Sequence, residues 1–510
     1  MNIKRAKEEI EHTIRAYLDR DELGTYRIPP IRQRPVLLMG PPGIGKTQIM
    51  EQIAGELGVG LVAYTITHHT RQSALGLPFI RERTFGGKTF SVTEYTMSEI
   101  LASVRQAMED TGVTGGILFL DEINCVSETL APMMLQFLQN KTFGNQRLPE
   151  GWVLVTAGNP PEYNKSVREF DVVTLDRVKR IDVEEDYGVW REYALRRGIH
   201  GAILTYLDIR KEHFYRIERT EDGLQFVTAR GWEDLSELLW AYERLGLPAD
   251  REVMGQYLQL PRIAADFAAY WELYNKYRKV YRVDEILTGS WDPLVASELR
   301  AAPFDEKLSI LGLLLSRLGE GARKTWELDR LADALHADLL DVKAKLEETS
   351  PAHCLEERLS GLREELRLRR EGGSSDREGL RLLLGETGRL EEFLGTLDRE
   401  SLTGGGAFDR LKELFQADVE ARGSAGRETG AQLEAAFAFL EATLGESQEM
   451  ILFATELTAN FHTSWLIQNF GSEAYYRHNK SLLFHDRQEE ILKNIAALKQ
   501  QEGGGPEKAD

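Results

Sequence analysis

"LLMGPPGIGKTQIM", Leu37–Met50, decides how the rest of the chain is read. An apolar run enters a loop with Gly40, Gly43, Gly45, Lys46 and Thr47 in the order GxxxxGK[ST], and an amphipathic stretch follows. Strand, glycine loop and helix in that order make a phosphate cradle. Glycines let backbone N–H groups close around phosphate oxygens, and the helix that follows adds free amides and the positive end of its dipole. The whole loop, Gly40, Pro41, Pro42, Gly43, Ile44 and Gly45, is expected to wrap the phosphates. Lys46 is placed to neutralise β- and γ-phosphate charge, and the Thr47 hydroxyl to ligand Mg2+.

Working outward, "GGILFLDEINCV" (115–126) is an apolar run ending in Asp121-Glu122. Carboxylates at the C-terminal end of a parallel strand sit in the crevice where such sheets bind ligands. Asp121 is therefore the second candidate for the metal, and Glu122 the candidate general base for an attacking water. "VLVTAGNPPEYN" (153–164) puts Asn159 just past the next apolar run, where an uncharged amide can orient water without quenching Glu122. The remaining runs are "PVLLM" (35–39), "LVAYTI" (61–66) and "RIDVE" (180–184). Alternating with amphipathic stretches, they predict a parallel sheet flanked by helices over residues 1–185.

The chain has 510 residues, with 63 basic and 82 acidic side chains and a formal net charge of −19. That balance argues against nucleic acid as the main partner, whose footprint is a basic face. Two cysteines, Cys125 and Cys354, without metal spacing fit a reducing compartment. The charged, amphipathic start and the absence of any long apolar run predict a cytoplasmic protein with no membrane partner. Residues 186–283 read as mainly helical, with a hairpin turning at Asp222-Gly223. Residues 284–500 read as all-helical, with breaks at Pro351, "GGSS" (372–375), "TGGGA" (403–407) and "RGSAG" (422–426), and 501–510 as a disordered tail.

Together the loop, the "LDE" strand end and Asn159 resemble the Walker A, Walker B and sensor 1 motifs of AAA+ ATPases, and within them the MoxR family. The resemblance spans about residues 30 to 285. It implies an AAA+ P-loop α/β core over 1–185, an α-helical lid over 186–283 and a C-terminal all-α region, with ATP and Mg2+ as cofactors. "FDVVTLDRVKRI" (170–181) resembles the family's stretch bearing the arginine finger, which makes Arg177 the candidate and Arg180 its rival, because Val178 stands where an aromatic normally follows. "FVTARGWEDLSELL" (226–239) resembles the start of the sensor 2 helix, with Arg230 as the sensor.

MoxR proteins are similar to magnesium chelatase subunits and dynein-related ATPases in carrying an insertion in the second helix, and they also have a hairpin just before the sensor 1 strand. "PFIRERTFGGKTFSVTEY" (78–95), turning at Gly86-Gly87, stands at the first position and "NKTFGNQRLPEG" (140–151) at the second. Phe79, Phe85, Phe90, Phe143 and Arg147 are the contact candidates, the alternative being that their aromatics staple the hairpins to the core. The resemblance implies a homo-oligomeric, hexameric ring that hydrolyses ATP. It further implies a chaperone-like ring that remodels or matures a partner protein, with metal insertion among such tasks. A von Willebrand factor A domain protein is the kind of client or adaptor such ATPases work beside. Two other readings stay open: a nucleotide-dependent assembly switch, and a nucleic-acid translocase on the same core.

Overall fold

The computed structural model describes residues 1–68, 70–143, 146–163, 167, 170–220, 223–371 and 377–479. The tail, the "GGSS" break and Asp222 lie outside the described residues. The described residues form two compact units: Met1–Trp190 with Phe214–Trp232, and Arg191–His213 with those from Glu233 to Asn479.

The first unit is an α/β layer structure. Its strands are β1 (Val36–Met39), β2 (Gly60–Thr65), β3 (Pro78–Phe85), β4 (Lys88–Tyr95), β5 (Gly116–Asp121), β6 (Thr142–Phe143), β7 (Gln146–Arg147), β8 (Trp152–Gly158), β9 (Lys179–Asp182), β10 (Arg216–Thr220) and β11 (Gly223–Val227). Five of them make one parallel sheet in the order β2-β5-β8-β1-β9. The apolar runs are continuous because both faces are covered. Val36, Leu38, Ile117, Phe119, Val153 and Val155 point to one side, onto Ala6, Ile10, Ile14, Ile49 and Ile53. Leu37, Met39, Leu118, Leu120 and Leu154 point to the other, onto Ile100, Val104, Met134 and Phe137. With a period of two, each strand feeds two cores at once.

The hairpins differ in kind. β3 and β4 pair over their whole length, and every residue of β3 is exposed. Gly86 and Gly87 have φ of 57° and 79°, the positive values that a tight two-residue turn requires. The register puts Phe79, Arg81, Arg83 and Phe85 with Lys88, Phe90, Val92 and Glu94 on one face of the ribbon. Arg83 binds Glu94 at 2.6 Å there, and Phe85 and Phe90 lie 6.3 Å apart. In the short β6–β7 hairpin Phe143 is instead buried, stacked on Phe137 at 3.9 Å. Phe143 is thus a staple rather than a contact residue.

The second unit is helical. Phe304–Ala344 and Gly404–Leu444 are each 41 residues long. The second begins within "TGGGA", at Gly404, but runs unbroken through "RGSAG", where glycines predict a break. Packing explains the difference. A Cβ on Gly426 would lie 2.1 Å from the Phe470 ring, and one on Gly321 would lie 2.9 Å from the Thr429 side chain. Both sites need close approach more than they need helix propensity. Arg191 carries Asp208 at 2.6 Å and also Glu456, tying Gly201–Ile209 to Gln448–Ala459 by side chains.

Candidate active site

The sheet brings the C-terminal ends of β1, β2, β5 and β8 into one row, and the sequence-selected residues lie along it. After β1 the chain turns through the glycine loop into the helix Lys46–Leu57. Gly43 and Gly45 have φ of 74° and 91°, which an L side chain rarely adopts. Space is as restrictive as conformation. A Cβ on Gly40 would stand 2.8 Å from the Val183 carbonyl, and one on Gly43 would stand 3.1 Å from the Thr228 side chain.

Lys46 is 8% exposed and donates from Nζ to the Gly40 carbonyl at 2.8 Å, the Pro41 carbonyl at 2.7 Å and Asn159 Oδ1 at 2.9 Å. Burial pulls its pKa down to about 8; Asp121 and Glu122 oppose the shift and Arg230 adds to it. Holding this ammonium charged costs on the order of 3 kcal/mol. A phosphate would supply the missing counter-charge.

Thr47 Oγ1 donates to Asp121 Oδ2 at 3.0 Å, and Asp121 Oδ1 accepts from the Glu122 amide at 2.8 Å. A hydroxyl and a carboxylate side by side are the hard-oxygen donors that a magnesium ion takes, with water and phosphate filling the other positions. The donor set fits that ion. Among the described residues no group of three or more His, Cys, Asp or Glu could hold a metal by itself.

Glu122 has φ of 56°, left-handed backbone that costs a non-glycine residue about 1–2 kcal/mol. It is pinned from both sides: Ile123 N donates to the Ala157 carbonyl at 2.9 Å and Cys125 N to the Glu122 carbonyl at 2.9 Å. The carboxylate lies against the turn that follows β2, Ile66–His68, where Thr67 Oγ1 donates to Oε2 at 2.9 Å. Strain of this size concentrates at sites where position matters more than stability.

Residues 35–178 match the model of the AAA domain, dynein-related subfamily. This part of the chain is an AAA+ ATPase domain. No curated protein gives a significant match to the chain.

The AAA+ geometry gives the arginines their context. Arg230 stands at the start of the helix Ala229–Leu245, beside the Gly43 face of the cradle, and its charge is felt at Lys46. Arg177 follows the short helix Val172–Leu175, is exposed, and has no side-chain hydrogen bond or ion pair among the described residues. None joins it to the cradle of its own chain. Arg180, on β9, is bound to Asp182 at 2.8 Å.

Two residues at the site carry no sequence signal. Thr67 is one threonine in an unremarkable stretch. Tyr215 donates from its hydroxyl to the Pro42 carbonyl at 2.9 Å, holding the loop from the side, and burial raises its pKa. Only the aromatic-rich approach to β10 could have drawn attention to Tyr215.

Proposed function

We propose that the protein is a MoxR-type ATPase that hydrolyses ATP as a hexameric ring and uses the cycle to remodel or mature a partner protein. The observation that carries this reading is the state of the two arginines. Arg180 is bound to Asp182, whereas Arg177 is exposed and, among the described residues, makes no side-chain hydrogen bond or ion pair, with only the charge of Asp171 acting on it. An exposed guanidinium just after the exposed Val172 and Val173 suits a group that completes the site of a neighbouring copy.

In this mechanism the loop amides and Lys46 bind the β- and γ-phosphates, and Lys46 gives up Asn159 Oδ1 as it does so. Thr47 and Asp121 would hold Mg2+, which supplies charge neutralisation on the phosphates when bound. Glu122 takes a proton from the attacking water, and Asn159 orients that water. Arg230 senses the γ-phosphate from the same chain. Arg177 of one copy stabilises transition-state charge in the next, so hydrolysis depends on assembly. The exposed face of the β3–β4 ribbon offers Phe79, Phe85 and Phe90 to the partner. A von Willebrand factor A domain protein, and metal insertion into a client, are the partner and task this reading favours.

The direct test is Glu122→Gln. It should bind ATP as tightly as the unaltered chain and turn it over about 10²–10⁴-fold more slowly. Turnover at the unaltered rate would remove the general base and the mechanism with it.

A further inference from the structure

Asn159 is held from two directions. Lys46 reaches its side chain at 2.9 Å. Its backbone carbonyl accepts from Asn124 Nδ2 at 2.8 Å. Asn124 is 2% exposed and stands two residues beyond Glu122, in the turn whose Ile123 amide is bound to Ala157. Residue 158 has no room for a side chain: a Cβ on Gly158 would lie 2.6 Å from Asn124 Oδ1 and 3.1 Å from Met39 Sδ. The Gly158 carbonyl accepts from the Gly40 amide, the first of the cradle, at 3.3 Å.

A buried amide spending its donor on one carbonyl is a costly arrangement to disturb, because an unpaired buried polar group loses its full hydration. Asn124 thereby bridges the Glu122 turn to the residue after β8. We infer that Asn124 is a positioning residue. It fixes Asn159 relative to Glu122, so that the water-orienting amide and the proton acceptor keep a set separation and the γ-phosphate's pull on one reaches the other. Gly158 is the space that lets the bracket close. The inference rests on the catalytic roles proposed above for Glu122 and Asn159.

Asn124→Ala tests it by steady-state ATPase kinetics and by equilibrium binding of ATP to the full chain. The expected result is a fall in kcat of about tenfold or more with the ATP Kd nearly unchanged, the signature of an interaction that matters only in the reaction. Asn124→Ser, which keeps a small polar group in the pocket, should show the same split if the alanine variant is poorly folded. The decisive step is a double-mutant cycle. In an Asn159→Ala background, Asn124→Ala should add less than about twofold, because the side chain it positions is gone. A general structural role would lower kcat by the same factor in both backgrounds, and that result overturns the inference, as does a fall in ATP affinity matching the fall in kcat. Failure of the underlying catalytic reading looks different: Glu122→Gln would then turn over ATP as fast as the unaltered chain.

Discussion

Lys46 Nζ donates to Asn159 Oδ1 at 2.9 Å across 113 residues of chain. The ammonium suited to phosphate and the amide suited to water thus occupy each other. The same ammonium holds the Gly40 and Pro41 carbonyls, so the loop is closed around its own lysine. In the proposed mechanism, binding exchanges those partners for phosphate oxygens and leaves Asn159 to orient water.

That exchange has a pH signature. Lys46 has its pKa lowered to about 8 without nucleotide, chiefly by burial, and phosphate charge must raise it. Below about 8 the group is already charged, and binding takes up no proton on its account. Above about 8 binding must protonate it, so affinity should fall by up to about tenfold per pH unit until the bound-state pKa is reached. Calorimetry at pH 8.5 in buffers of different ionisation enthalpy should read net proton uptake. Affinity flat from pH 7 to 9.5, without uptake, would contradict this placement.

The Thr67 hydroxyl holds Glu122 Oε2 at 2.9 Å. That hydrogen bond restrains the carboxylate's rotation and occupies one of its two oxygens. Thr67→Val keeps the shape and removes the donor, and should raise basal turnover several-fold with KM unchanged. A loss as deep as that of Glu122→Gln would mean that Thr67 aims the carboxylate at water instead.

In the helical unit, Gly426→Ala should destabilise the protein by about 1–3 kcal/mol in chemical denaturation, because the new methyl meets the Phe470 ring at 2.1 Å. Gly430, four residues on, has open space where a Cβ would go, so Gly430→Ala should be neutral or stabilising, by up to about 1 kcal/mol. Equal effects at the two positions would show that the helix contact is not as described.

The phosphate loop, the acidic strand end, Asn159 and the sheet were legible in the sequence because each depends on local pattern: period-two burial, positive φ at glycines, and charge at a strand's end. What was not legible depends on distant contacts. Glycine in "RGSAG" carries the same letter whether it breaks a helix or admits Phe470. Phe143 and Phe90 look alike in sequence, and only the neighbouring Phe137 makes the first a staple. Thr67 and Tyr215 reach the site by tertiary placement alone. Arg177 and Arg180 look equivalent in sequence, and they differ in that Asp182, two residues beyond Arg180 on the same strand, binds Arg180.

The central claim is that one copy's Arg177 completes the site containing another copy's Glu122. Mixing two variants, Glu122→Gln and Arg177→Ala, tests it most directly, since each alone should be nearly inactive. In a mixed ring an Arg177→Ala subunit keeps its own Glu122 and receives Arg177 from a Glu122→Gln neighbour. The account predicts that turnover appears on mixing and rises with total protein concentration. If the mixture stays as inactive as its parts, or if Arg177→Ala alone turns over ATP at the unaltered rate, the claim is contradicted.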